Sequence, residues 1–464
     1  MLRTRIALWA GCALSYNMVT GALLFAQTDP GPRVGPPSAG APLRGLTPTE
    51  MATFQAGIQR FQTTESVRTG LGPRFNLNRC ASCHSQPALG GSSPSLYSPQ
   101  NPRTNPQIAV ATLDGATNAV PSFVQPDGPV LAARFVKNAD GTPDGGVHNL
   151  FVITGRTDAG ACAIAQPDFA TALAQNNVIF RIPVPLFGAG LVEAIPDGAI
   201  LANKSANAAV KAALGIGGQE NRGANDGTIT RFGWKAQNKS LEVFAGEAYN
   251  VEIGVTNELF PTEREQDPSC ALNPLPEDQT DFTAATPVAG MSDIQAFSAF
   301  MRWLAPPAPA QSTPGPPPPP GNGGPPPPQQ QPPQNPSVAN GQQVFAQVGC
   351  ALCHTPVLTT GTATSAALSH QPVALFSDLL LHHMGAGLAD GITQGLAGGD
   401  EFRSAPLWGL GQRIYLLHDG RTTDLMQAIS AHASQGSEAA GVVSAFQSLP
   451  AQAVQDLLNF LRSL

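Results

Sequence analysis

Two stretches of the chain share one frame, Cys80-Ala81-Ser82-Cys83-His84 and Cys350-Ala351-Leu352-Cys353-His354. Any fold must satisfy this spacing twice. In C-x-x-C-H, two thiols about one helical turn apart reach the two vinyl groups on one edge of a porphyrin. The adjacent His then turns under the ring to bind iron, so the frame is that of c-type haem attachment. Two simpler readings compete. A redox-active C-x-x-C sits after a strand in a βαβ unit, and neither stretch has such a flank. One four-cysteine zinc site built from both pairs leaves the His after each pair unused. The expected cofactors are therefore two covalently bound haem c groups, anchored by Cys80, Cys83, Cys350 and Cys353, with His84 and His354 as proximal iron ligands.

Covalent haem is attached outside the cytoplasm, and the N-terminus agrees. Met1–Arg5 carries two arginines, and Ile6–Ala26 is uncharged and mostly apolar, with Leu24-Phe25-Ala26 as a cleavage site. This reads as a secretory signal peptide over 1–26 and a periplasmic protein with no stable membrane insertion. An uncleaved anchor is the alternative, because 21 residues are long enough to span a bilayer. Cys12 leaves with the signal. Cys162 and Cys270 remain, both in polar, turn-rich stretches. In an exported protein such a pair is expected to form a disulfide, closing a loop of roughly 108 residues and worth about 4 kcal/mol if unstrained.

The chain has 464 residues, enough for two or three units. Its net charge is −7 and no basic tract occurs, which argues against nucleic acid as a partner. Gly and Pro make up a fifth of the chain, which excludes a coiled coil. Residues 306–336 hold 16 of the 45 prolines, a linker of polyproline II character. The expected plan is a disordered segment at 27–45, a first haem unit at 46–304, a linker at 305–337 and a second haem unit at 338–464. Each unit opens and closes with a helix. Thr47-Pro48-Thr49-Glu50 is a capping box, followed by Met51, Phe54, Ile58 and Phe61 at helical spacing. The second unit starts near Ser337 with Val338, Val344, Phe345 and Val348. Ile294, Phe297, Met301 and Leu304 mark one closing helix, and Val454, Leu457, Leu461 and Leu464 the other. The fold class is mainly α, with two cytochrome c-like haem domains. The first carries an irregular, β-containing insertion of about 110 residues at about 100–287. Short strands are expected there at Asn177–Ile182 and Val251–Val255.

Several segments are familiar. Gly70-Leu71-Gly72-Pro73-Arg74-Phe75-Asn76 leads into the first motif. Ser377-Asp378-Leu379-Leu380-Leu381-His382, Met384-Gly385, Phe402-Arg403, Ala405-Pro406-Leu407-Trp408-Gly409-Leu410 and Leu417-His418-Asp419-Gly420-Arg421 follow the second. Phe187–Pro196 and Asn225–Lys235 belong to the same pattern. Together they resemble the bacterial di-haem oxidoreductase (putative peroxidase) family and, more distantly, the di-haem cytochrome c peroxidases. The resemblance runs from about Leu46 to Leu464 outside the linker. The chain departs from the family at His383, where Asp is expected, at Ser404 for Thr and at Thr422 for Ala.

The resemblance implies an enzyme that reduces hydrogen peroxide at the first haem, with electrons relayed by the second from a small electron-donor protein. It admits calcium between the units, although no ligand cluster stands out. Met384 is the expected sixth ligand of the second haem, with His382 or His383 as the competing choice. His148, within the insertion, is the candidate acid–base group or displaceable ligand at the first haem, and Glu193 a second candidate. Each also has a plain structural reading, a satisfied loop histidine and a paired carboxylate. His418 and Arg421 are expected near the second haem, bonding a propionate. Trp303 and Trp408 are candidate bridges between the rings or core aromatics, and His370 and His432 are read as surface residues. Two other functions stay open, a non-catalytic electron-transfer cytochrome and a di-haem oxidase or oxygenase. The large insertion favours an enzyme.

Overall fold

The computed structural model describes residues 27–310 and 335–464. The expected signal peptide and most of the Pro-rich linker lie outside the described residues. The chain is mainly helical, and the extended structure among the described residues is limited to four two-stranded antiparallel sheets and isolated bridges.

The first half opens with α1 (Pro48–Phe61) and closes with α2 (Asp293–Trp303). The second opens with α3 (Pro336–Gln347) and closes with α4 (Ala451–Ser463). The start of α1 is set by a complete capping box. The Thr47 side chain accepts from the Glu50 N–H, and the Glu50 carboxylate accepts from the Thr47 N–H at 2.7 Å. α1 packs on α2, and α3 on α4. The two crossings are built alike. A Cβ on Gly57 would meet the Ala296 carbonyl and the Phe300 Cβ, and one on Gly341 would meet the Asp456 carbonyl and the Phe460 Cβ. Four residues after each glycine comes a phenylalanine, Phe61 or Phe345, whose ring packs on Phe300 or Phe460 respectively. Only a residue without a side chain lets the backbones approach so closely.

The strand expected near Asn177–Ile182 is present, as Val178–Arg181 paired with Ala132–Phe135. The one expected at Val251–Val255 is not. Ser240 caps a helix at Leu241–Ala248, which runs into a π-helical turn at Tyr249–Ile253. Leu241, Ala245, Tyr249 and Ile253 recur every four residues and are all buried, which is a helical face. Nor is 27–45 disordered. Asp29 forms a buried ion pair with Arg462 at 2.6 Å, and the Leu43 N–H donates to the Trp303 carbonyl. The polar composition of this segment hides one acid that must be buried against a buried arginine.

Cys162 and Cys270 form a disulfide, with their Cα atoms 4.6 Å apart. The core around α1 and α2 also takes in Leu358, Val373, Leu375, Leu379, Leu380 and Trp408 from beyond the linker. A second core surrounds α3 and α4. No helix among the described residues is long and apolar enough to cross a membrane.

Candidate haem sites

Each C-x-x-C-H motif lines its own cavity. The first, about 1190 Å3, holds Cys80, Cys83 and His84. The second, about 1460 Å3, holds Cys350, Cys353 and His354. A single helical turn, Cys80–Cys83, puts both thiols on one side, with His84 at its end. A 3-10 turn at Cys350–Leu352 does the same in the second half. His84 Nδ1 lies 3.0 Å from the Gly91 carbonyl, and His354 Nδ1 lies 3.1 Å from the Phe376 carbonyl. A carbonyl can only accept, so Nδ1 must carry the proton and Nε2 is left as the basic nitrogen. Burial pushes both imidazoles down to about 4, which keeps them neutral and able to bind a metal. The same burial pushes the Cys80 and Cys350 thiols up to about 12. Zinc or disulfide exchange needs thiolates, whereas a thioether bond to a porphyrin leaves no charge in the apolar wall. The two cysteine pairs line different cavities, so they do not make one four-cysteine site. Among the described residues no group of three or more His, Cys, Asp and Glu side chains is arranged for a metal ion.

The walls suit a haem in other ways. Both cavities are lined mainly by apolar side chains. In the first, Arg134 Nε and Gln237 Oε1 are buried without a hydrogen-bond partner, so polar groups wait there for a ligand.

The two proposed acid–base residues are not in the first cavity. His148 Nε2 pairs with Asp144 at 2.8 Å and its ring stacks on Phe135, outside the cavity wall. Glu193 accepts from Arg302 Nε at 3.0 Å and from the Leu241 N–H at 2.9 Å, a paired structural carboxylate. Two carboxylates line the cavity, Glu252 on the π-helical turn and Glu247 one turn earlier. Burial raises the Glu252 carboxyl above its usual range, opposed by Asn76, whose Nδ2 donates to it at 2.6 Å. A glutamate inside an otherwise apolar helical face is the sequence signal for it.

In the second cavity the wall includes Met384 and His418. It also includes His432, which is partly buried rather than a surface residue; its Nδ1 lies 2.7 Å from the Ala428 carbonyl, leaving Nε2 free as in His84 and His354. His354 and His432 line the same cavity. His382 is engaged between Asp378 at 3.0 Å and Glu438 at 2.7 Å, and His383 is exposed beside Asp400. Arg421 is exposed, pairs with Asp419 and lies outside the cavity. The arginines that line it are Arg403 and Arg413. His370 is exposed and bonds Thr362.

A crevice of about 570 Å3 lies between the cavities. Trp234 lines the crevice and both cavities, and its Nε1 donates to the Ile182 carbonyl at 2.9 Å. Trp408 lines only the crevice, and Trp303 is core. The aromatic shared by both cavities is therefore Trp234, the neighbour of a buried ion cluster. Arg181 and Lys235 of the first half both hold Asp390 of the second, at 2.5 and 3.1 Å. Burial brings the Lys235 ammonium down to about 8, with Asp390 opposing.

Comparison with known proteins follows the same lines. The family profile described as "Di-haem oxidoreductase, putative peroxidase" matches residues 134–284 and 327–464. The second C-x-x-C-H motif lies inside that match and the first lies before it. No curated protein matches the chain. Among solved structures, a MauG-like protein associated with microbial copper homeostasis shares 18% identity over 39% of this chain, with a TM-score of 0.25. The chain spans 55% of that protein's length. Hydrazine synthase of Kuenenia stuttgartiensis aligns over 98% of this chain and 100% of its own, at 13% identity and a TM-score of 0.34. With more than half of its length inside one family profile, and two motif-lined cavities joined at Trp234, the chain belongs to the di-haem oxidoreductases.

Proposed function

We propose that the protein is an exported di-haem c-type peroxidase that reduces hydrogen peroxide in its first cavity, with electrons relayed from the second. The observation that carries this reading is the difference between the two cavities. The second is lined by three histidines besides its motif histidine, His382, His418 and His432, and of these His432 has its Nδ1 on a backbone carbonyl. The first offers none besides His84, and presents a buried carboxylate, Glu252, instead. Its one methionine, Met301, is on α2, whose Phe297 packs through Phe61 against His84, on the proximal side. One cavity is thus furnished to saturate iron and the other to handle protons.

When bound, haem supplies one-electron storage at each site and an iron at which peroxide can react. His84 and His354 would hold the two irons through Nε2, and Cys80, Cys83, Cys350 and Cys353 would hold the rings as thioethers. His432, with its Nδ1 already committed to a carbonyl, would offer its Nε2 at the second site in preference to Met384. Peroxide takes up two electrons and two protons and leaves as two waters. Glu252, its carboxyl raised above the usual range by burial, accepts the proton of one peroxide oxygen and returns it to the other as the O–O bond breaks. Asn76 holds this carboxylate in place through its Nδ2–H, and Trp234 fills the gap between the two sites. Electrons enter from a small redox protein.

The test is a single turnover on half-reduced protein with one equivalent of peroxide, followed in the Soret region. The parent is expected to lose two electrons rapidly. Glu252→Gln is expected to react about 10²–10⁴-fold more slowly with both haems still attached. A Glu252→Gln variant as fast as the parent overturns the assignment. Parent protein inert to peroxide, low-spin at both haems, would identify an electron carrier or an enzyme for another oxidant.

A further inference from the structure

Four buried arginines of this molecule have carboxylate partners. Arg181 pairs with Asp390, Arg156 with Asp158, Arg231 with Asp197 and Arg462 with Asp29. Among the described residues Arg403, also buried, and Arg413, partly buried in the cavity wall, pair with none. Arg403 donates only to carbonyls, Nε to Gly233 at 3.2 Å and Nη1 to Ser404 at 3.1 Å. The Arg413 side chain makes no hydrogen bond among the described residues. The carboxylate whose field reaches Arg403 is Asp378, which is already engaged by His382 and Ser404. The two guanidinium groups are close enough that Arg413 acts electrostatically on Arg403, after burial itself the strongest influence there. Two cations on one largely apolar wall are unfavourable unless an anion joins them.

Their place says which anion. Both line the second cavity and also the crevice toward the first. Cys350 and Cys353 would take the vinyl edge of a haem in that cavity. On a porphyrin the two propionates leave from the edge opposite the vinyl groups. A guanidinium fork matches a carboxylate with two parallel hydrogen bonds. We propose that Arg403 and Arg413 bind the two propionates of the second haem, so that its propionate edge faces the crevice and Trp234. This rests on the reading of the second cavity as a haem site. It gives that edge a fixed orientation toward the first cavity, and it replaces Arg421 as the propionate anchor.

The experiment is spectroelectrochemical titration of both haems in haem-loaded protein, from about pH 5 to 8, for the parent and for Arg413→Gln, Arg403→Gln, Arg413→Lys and Arg403→Lys. Removing a positive charge beside the ring favours ferric iron. The second-haem midpoint should therefore fall in each Gln variant and become pH-dependent, because a propionate freed from its guanidinium titrates in this range. The first-haem midpoint should stay closer to the parent's. The Lys variants keep the charge and lose the fork, so they should shift in the same direction by less. If a Gln variant does not fold, its Lys counterpart carries the comparison. An unchanged second-haem midpoint and pH profile in the variants that fold overturns the proposal. A pyridine haemochrome assay counts attached haems separately, and a count below two in the parent would overturn the haem reading itself.

Discussion

Histidine partners separate the roles of this residue type better than position does. The chain has eight. His84, His354 and His432 turn Nδ1 to a backbone carbonyl, while His148, His382 and His383 face carboxylates. The first arrangement leaves a neutral ring with Nε2 free, and the second commits the ring to an ion pair. If His432 is the sixth ligand of the second haem, His432→Ala should turn that haem high-spin, and Met384→Ala should leave its near-infrared ligand band in place. The opposite pattern would restore Met384. A second residue-scale test concerns Asp278, which accepts the N–H groups of Asp293 and Ile294 at the start of α2. Burial first, and Asp293 second, raise its carboxyl from 3.8 to about 7. The folded state therefore holds a proton that the unfolded chain releases, and stability is lost as pH rises through that window. Asp278→Asn should flatten the fall between about pH 4 and 7, on the order of 1–3 kcal/mol, in denaturant titrations at the two ends. An equal slope in parent and variant would remove Asp278 as the cause.

At the scale of elements, the four helices that open and close the halves are legible in the sequence. Their signals are local: a capping box at Thr47 and apolar residues at helical spacing in each. The segment at Val251–Val255 looks like a strand in the sequence because five residues of alternation also fit one turn of a helix whose buried positions fall every fourth residue. The helix crossings offer the sharper test. Gly341→Ala raises intrinsic helix propensity by about 1 kcal/mol, yet its Cβ would meet the Asp456 carbonyl. The backbone cannot yield as a side chain would, so the net effect should be a loss of about 1–3 kcal/mol in denaturation followed by the second-haem Soret band. A neutral or stabilising result would mean that the crossing is looser than described.

Across the whole molecule, the two halves do not stand apart. Leu375, Leu379, Leu380 and Trp408 enter the first core from beyond the linker, and Arg181 and Lys235 close on Asp390 across the boundary. Asp390→Asn would leave two buried cations without their shared anion. A loss of about 3–5 kcal/mol is expected, and both haem environments should change in the same transition, since the first core takes in residues of both halves. Independent melting of the two Soret signals would show that the halves are separable after all.

The sequence alone determined the two C-x-x-C-H motifs and the bounding helices, because covalent spacing and helical period act within a few neighbouring residues. It did not determine which carboxylate, spare histidine, arginine pair or tryptophan serves the cavities. Glu252 and Glu193 both sit in apolar surroundings, and His432 and His370 both sit in small, polar stretches. What separates each pair is burial and a hydrogen-bond partner, supplied by the folded backbone around it: Glu252 faces a cavity while Glu193 meets Arg302, and His432 bonds a helix carbonyl while His370 meets Thr362 in solvent. Those choices belong to the tertiary structure, because the environment that shifts a charge or frees a lone pair exists only once the chain has closed around it.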